Sequence, residues 1–194
     1  MKKFLRIAAA VGLAAMSTSA FAASGYRYIN VDLVTQEHSN WCWAASSVDV
    51  LHVYAKTPSQ CSVANWALGR SDACGNTVFN WNSYANSANG MYGANGSIQA
   101  ILSHWGVGSY GNNYALNWTA LVNEVNASRP VVMRFGWYGG GGHFLVAYGY
   151  DDRSGTQTMG YMNPWPGEGY TWSNYNWVVY ASYDHTWTHS LRMN

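Results

Sequence analysis

The chain has 194 residues, of which 10% are charged and 16% are aromatic, including 11 tryptophans and 15 tyrosines. Its formal net charge is only +1, so it lacks the excess of basic residues that binding to nucleic acid or to an anionic membrane requires. The length and the lack of an internal repeat or linker suit a single domain with a full hydrophobic core.

Residues 1–22 have the pattern of a bacterial secretory signal peptide. Three basic residues precede an apolar run of 10 residues, Ile7–Met16, which is too short to span a bilayer, and Ala20-Phe21-Ala22 offers a small-x-small cleavage site. We therefore expect residues 23–194 to form one exported domain, secreted or periplasmic. This mature chain of 172 residues has 7 basic and 9 acidic residues.

The sequence of the first half of this domain predicts a short extended segment followed by helices. Residues 29–33 alternate apolar and polar side chains, which indicates a strand or an extended segment. From residue 41 to about residue 54 the apolar spacing is helical, and Ser39 or Asn40 is the predicted N-cap. Cys42 then lies in the first turn, where unpaired N–H groups and the helix dipole favour a thiolate.

The remaining elements indicate an α+β protein in which helices precede strands. Further helices are predicted at 62–68, 97–105 and 117–127, and 76–96 reads as an ordered surface loop that walls a cleft. Strands are predicted at 130–135, 144–150, 156–162, 177–180 and 187–193, with a hairpin turn at 151–155. The order predicts an N-terminal helical lobe packed against a C-terminal antiparallel β lobe.

Two sites in the second half complete a set of residues suited to thiol chemistry. Four glycines precede His143, which marks a loop where the backbone must approach another group closely, and Asn163 follows 20 residues later. A thiol attacks a carbonyl well only as a thiolate, which needs a base and a group that orients the base. Alone, Cys42, His143 and Asn163 would read as a buried cysteine, a sheet histidine and a turn residue, but together they indicate an active site.

This set resembles the papain-like cysteine peptidases in order and in local sequence. Cys42 is followed by a tryptophan, Asn163 begins an Asn-x-Trp motif that ends at Trp165, and Gln36 stands six residues before the cysteine. In that family the tryptophan of the Asn-x-Trp motif shields the Asn–His hydrogen bond from water. The resemblance implies a papain-like two-lobe fold, with the nucleophile helix packed against the β lobe.

The likeness is closest to small bacterial members: the staphopain-like enzymes, the leader peptidases of bacteriocin exporters and a plant-pathogen effector peptidase. The chain shares with them Trp-Cys-Trp-Ala-Ala at 41–45 and Gly-His-Phe at 142–144. It departs from papain itself, because Cys-Gly-Ser-Cys-Trp is absent. The 101 residues from cysteine to histidine are also fewer than the roughly 130–150 of the papain type.

The resemblance implies a role for each of these residues. Cys42 would be the nucleophile that forms a thioester. His143 would pair with it as imidazolium, protonate the leaving amine and activate water, and Asn163 would fix the tautomer of His143. Gln36 and the backbone N–H of Cys42 would form the oxyanion hole.

The other two cysteines, Cys61 and Cys74, are predicted to form a disulfide. If Cys42 must stay reduced as a nucleophile, these two are left to pair in an oxidising compartment. Two free buried thiols, or a pairing that includes Cys42, are the open alternatives.

No metal or other cofactor is expected. His185 and His189 are four residues apart and could share a face, but no cysteine or carboxylate cluster accompanies them, and zinc sites need three or four ligands.

The sequence thus predicts an exported cysteine endopeptidase that acts on protein or peptide substrates and has an inhibitor or immunity protein as a candidate partner. Three alternatives stay open. The same site could serve a peptidoglycan amidase or endopeptidase, or a deamidase or acyl transferase. The abundant aromatic residues also suit a non-enzymatic secreted protein that binds sugars.

Overall fold

The computed structural model describes residues 25–75 and 83–194, so the predicted signal peptide and part of the predicted surface loop lie outside the described residues. The helices are α1 Cys42–Val53, α2 Gln60–Leu68, α3 Ile98–His104, α4 Trp118–Asn126 and α5 Tyr175–Val179. The strands are β1 Tyr26–Tyr28, β2 Ser109–Asn112, β3 Val131–Trp137, β4 His143–Asp151, β5 Thr158–Asn163, β6 Gly169–Asn174, β7 Tyr180–Ala181 and β8 His185–Met193.

The strands form one antiparallel sheet, and helices α1 to α3 precede most of it in sequence. The strand order is β2-β8-β3-β4-β5-β6, with β1 paired to the end of β4 and β7 paired to β8. This arrangement confirms the predicted α+β fold with an antiparallel β lobe.

Helix α1 is buried on all sides. Nine consecutive residues, Trp43–Leu51, are buried, and β4 is buried over His143–Tyr150. A helix that is apolar all round is expected only where neighbouring elements enclose it, and α1 packs against β4, α2 and α3. Each fully buried Val or Leu contributes about 1.5–3 kcal/mol, so packing fixes the position of this helix.

The start of α1 differs from the predicted cap. Trp41 occupies the N-cap position and no side chain caps the helix. Ser39 and Asn40 instead bond to Asn86, since the Asn86 amide donates to the Ser39 hydroxyl and Asn40 N–H donates to Asn86 Oδ1. Long-range hydrogen bonds have replaced the local cap, yet Cys42 lies in the first turn as predicted.

A disulfide joins Cys61 in α2 to Cys74, the pairing that the sequence predicts, and Cys42 keeps a free thiol. Closing a loop of this size contributes roughly 3 kcal/mol in the chain-entropy account. The bond therefore supports the helical lobe without using the thiol of α1.

One of the predicted strands is wrong. Residues 177–180 lie mostly in helix α5, because Asn174 Oδ1 accepts hydrogen bonds from the N–H groups of Asn176 and Trp177 and so caps a helix there. Residues 29–33, for which the sequence predicts a strand or an extended segment, lie outside the strands, and the paired strand β1 comes just before them.

No helix in residues 25–75 and 83–194 is long and apolar enough to cross a membrane.

Asp49 is an unpaired carboxyl group at the centre of α1. Its side chain is fully buried, neither oxygen has a hydrogen bond of normal geometry among the described residues, and the nearby backbone N–H of Asp32 lowers its pKa only in part. Burial, followed by the negative charge of Asp32, raises the pKa of Asp49 well above its usual range. As pH rises, Asp49 therefore keeps its proton to a higher pH in the folded protein than in the unfolded chain.

We predict that Asp49→Asn makes the protein more stable at neutral pH. A raised pKa in the folded state means that wild-type stability falls as pH rises from about 4 towards the raised pKa. The variant lacks this loss, so its advantage should grow from pH 4 to pH 7 and vanish below pH 4. Urea denaturation of both proteins across this range measures the difference. Identical pH profiles would contradict the prediction, because all other titrating groups are common to both.

Candidate active site

A cleft of about 600 Å³ lies where the start of α1 meets the start of β4. Cys42 reaches it from the first turn of α1, His143 from the first residue of β4, and Asn163 from the last residue of β5. The structure therefore brings these three sequence-predicted residues to one cleft.

Asn163 holds the imidazole of His143 in one orientation. Asn163 Oδ1 lies 2.7 Å from His143 Nε2, and the same oxygen accepts a hydrogen bond of 3.1 Å from the backbone N–H of Trp165. A carboxamide oxygen only accepts, so Nε2 must carry the proton. In the neutral ring Nδ1 is then free to accept a proton.

Two indoles flank His143. Trp165 meets the imidazole edge-on with ring centroids 6.2 Å apart, and Trp137 lies nearly parallel to it at 6.3 Å. Trp165 belongs to the Asn-x-Trp motif identified in the sequence, whereas Trp137 was not anticipated. Both indoles are partly exposed, whereas the His143 residue beside them is buried.

The residues beside Cys42 are fixed by the segment 83–89. The indole N–H of Trp41 donates to the carbonyl of Ala85 at 2.7 Å, and that of Trp43 donates to the carbonyl of Ser87 at 3.0 Å. Both indoles are fully buried. The Trp-Cys-Trp sequence thus places a tryptophan anchor on each side of the thiol.

Asn86 supports the segment before Cys42, and the sequence does not single it out. It is buried and accepts the Asn40 N–H at 3.0 Å, while its backbone carbonyl accepts the Asn40 side-chain amide at 2.7 Å. No local sequence signal separates Asn86 from the other asparagines of the loop. Its partners lie 46 and 47 residues away in the chain.

Burial opposes charge on both members of the pair. Burial raises the pKa of the Cys42 thiol, although the N–H groups of Phe144, Trp43 and Cys42 and the Arg134 charge lower it. Burial likewise lowers the pKa of His143, while the Asn163 hydrogen bond and the Glu168 charge raise it. Both net directions favour a neutral thiol and a neutral imidazole at rest, whereas the sequence predicts a thiolate.

In the described part of the chain no hydrogen bond joins Cys42 Sγ to His143, although both line the cleft.

Gln36 lies beside the site but its amide does not point into the cleft. Both amide hydrogens are engaged, since Nε2 donates to the carbonyls of His38 and Ser39 at 2.9 Å each. Its Oε1 is buried with no partner among the described residues, and its backbone N–H donates to the Pro164 carbonyl at 2.8 Å. Gln36 thus links the segment before α1 to the loop after Asn163.

Among the described residues, no group of three or more His, Cys, Asp and Glu side chains is arranged to hold a metal ion. His185 has other partners: Asp184 at Nδ1 and the Val178 carbonyl at Nε2.

Comparison with known proteins gives one family and one fold. The sequence model of the Peptidase_C39 like family matches residues 28–190. Among solved structures, the chain is similar to a double glycine motif protease from an AMS/PCAT transporter in complex with the leader peptide. The two are 17% identical with a TM-score of 0.50, and the match covers 86% of this chain and 94% of that one. The search of curated proteins found no match.

We predict that Asn163→Ala lowers the pKa of His143. The hydrogen bond to Asn163 favours the protonated imidazole, so its loss leaves burial less opposed. The measurement is an NMR titration of the His143 ring proton in both proteins.

Asn126→Ala is the matched control, because Asn126 accepts a hydrogen bond from Tyr150 on another part of the sheet. An unchanged or raised His143 midpoint in Asn163→Ala would show that Asn163 does not act on the imidazole.

Proposed function

The chain belongs to the Peptidase_C39 like family and is a cysteine peptidase with a papain-like fold. From this premise we propose that it is an exported endopeptidase that cleaves peptide bonds through Cys42, His143 and Asn163. The observation that carries the proposal is the 2.7 Å contact between His143 Nε2 and Asn163 Oδ1, in the cleft that the free thiol of Cys42 also lines.

In the proposed reaction His143 is the general base and then the general acid. Nδ1 takes the Cys42 proton as the sulfur attacks the scissile carbonyl, and the imidazolium then gives that proton to the leaving amine. The thioester is hydrolysed by a water that gives a proton to the same nitrogen. When the tetrahedral intermediate collapses, the thiol leaves and takes this proton back. The Asn163 hydrogen bond stabilises the imidazolium in both halves.

The oxyanion would be stabilised first by the backbone N–H of Cys42. As the first residue of α1, Cys42 has no acceptor for this group within the helix. Gln36 is the proposed second donor, which requires that one of its bonds to His38 or Ser39 be exchanged for a bond to the oxyanion. In a well-studied protease one such donor contributes about 2.7–4 kcal/mol.

A peptide is the proposed substrate. The cleft is about 600 Å³, within the range of small-molecule and cofactor sites, and the similar double glycine motif protease was solved with a leader peptide. Export rests on the signal-peptide pattern of residues 1–22, and we propose that the mature enzyme works in the periplasm or outside the cell.

We predict that Cys42→Ala abolishes hydrolysis and leaves the fold intact, because alanine is a good helix former. Loss of a nucleophile costs roughly 10⁴-fold or more in kcat. The assay follows cleavage of casein and of purified murein by wild type and variant, with circular dichroism and a melting temperature for each.

Casein hydrolysis that persists in Cys42→Ala would contradict the proposal. Thiol-dependent cleavage of murein alone would replace it with the amidase alternative.

A further inference from the structure

Arg134 is a partly buried cation in the wall of the cleft, and no carboxylate among the described residues forms an ion pair with it. Arg70, Arg129, Arg153 and Arg192 each form an ion pair with an Asp or Glu. Among the described residues Arg134 has no such partner. It nevertheless lies in the cleft wall with Cys42 and His143.

The backbone around Arg134 aims its side chain at the cleft. Arg134 lies opposite Phe144 in β4 and His189 in β8, and the register of β3 with β8 shifts between Arg134 and Phe135. Such an irregularity redirects side chains and is common beside active sites.

The guanidinium group is held in place by neutral oxygens. Nη2 donates to the Gly141 carbonyl at 2.7 Å and Nη1 donates to the Thr188 hydroxyl at 3.1 Å. A Cβ atom on Gly142 would lie 2.5 Å from Arg134 Cζ, so the group packs directly against the residue that precedes His143. Of its five N–H groups, three have no acceptor in residues 25–75 and 83–194.

A fixed, half-buried guanidinium with unused donors fits a carboxylate, which it can bind through two parallel hydrogen bonds. The cleft has one further charged residue, Glu168, but no ion pair joins it to Arg134 in the described chain. The negative charge of Glu168 instead raises the pKa of His143. The arginine is thus left available to an anionic group that enters with the substrate.

We propose that Arg134 determines specificity by binding a carboxylate of the substrate close to the scissile bond. This inference rests on the proposed peptidase function, because it concerns a group of the substrate. The binding of a carboxylate beside Cys42 can nevertheless be tested without any hydrolysis. An aspartate or glutamate side chain and a terminal carboxylate share this chemistry.

The first experiment compares the alkylation of Cys42 by iodoacetate and by iodoacetamide. The two reagents differ mainly in that iodoacetate carries a carboxylate. The rate constant for iodoacetate divided by that for iodoacetamide is therefore unaffected by a change in thiol ionisation. We expect this ratio in wild type to exceed that of 2-mercaptoethanol by about tenfold, as one charge-assisted bond would give. It should fall to the 2-mercaptoethanol value in Arg134→Gln, remain partly raised in Arg134→Lys and decrease with added salt.

Arg27→Gln is the matched control, because it removes the same charge from β1. Arg27 pairs with Tyr150, seven residues along β4 from His143 and hence on the order of 20 Å away. Equal ratios in wild type and Arg134→Gln, or an equal fall in Arg27→Gln, would overturn the proposal. Loss of folding in Arg134→Gln would leave the Arg134→Lys comparison, where a ratio equal to that of 2-mercaptoethanol would also overturn it.

The second experiment separates the two sources of the carboxylate. Peptides that differ by Glu or Gln at each position around a cleaved bond, and by a free or amidated C-terminus, are compared by kcat/KM. A preference of about tenfold for one charged form, lost in Arg134→Gln, identifies the group that is bound. Equal preferences in both proteins would count against the proposal. If no peptide is cleaved, the proposed function fails while the alkylation ratio still decides the role of Arg134.

Discussion

Helix α1 has no exposed side between Trp43 and Leu51, so the elements around it determine where the thiol at its first residue lies. The strand that carries His143 is one of those elements and is itself buried over eight residues. The proposed nucleophile and the proposed base therefore lie on two elements of one hydrophobic core. Any change in how α1 packs on β4 would also move Cys42 relative to His143.

The same burial that positions the pair opposes its charges. Desolvation raises the pKa of the thiol and lowers that of the imidazole, and polar groups around the pair act in the other direction, first among them the backbone N–H groups of Phe144, Trp43 and Cys42 at the thiol. Arg134 acts on Cys42, and Asn163 and Glu168 act on His143. In the proposed mechanism these groups would stabilise the thiolate and the imidazolium as they form during the reaction.

The sequence predicts the four longer helices to within two residues of their bounds and the three residues that meet in the cleft. Helical spacing and the local motifs around Cys42 and Asn163 are visible in the chain itself. The sequence could not reveal Asn86 or Arg134, because their roles arise from contacts between segments distant in sequence. It also misassigned 177–180, where a side-chain cap from Asn174 outweighs the β-propensity of the aromatic and β-branched residues.

The most direct test of this account is the rate at which iodoacetamide modifies Cys42, measured from pH 4 to pH 9 in wild type and in His143→Ala. If the two residues act as a unit, the wild-type rate should rise with pH through the titration of His143. The midpoint should lie below 6.5, because burial lowers that pKa. This step should be absent from His143→Ala, which should react more slowly near neutral pH. Superimposable profiles would show that the imidazole does not act on the thiol, and would contradict the account.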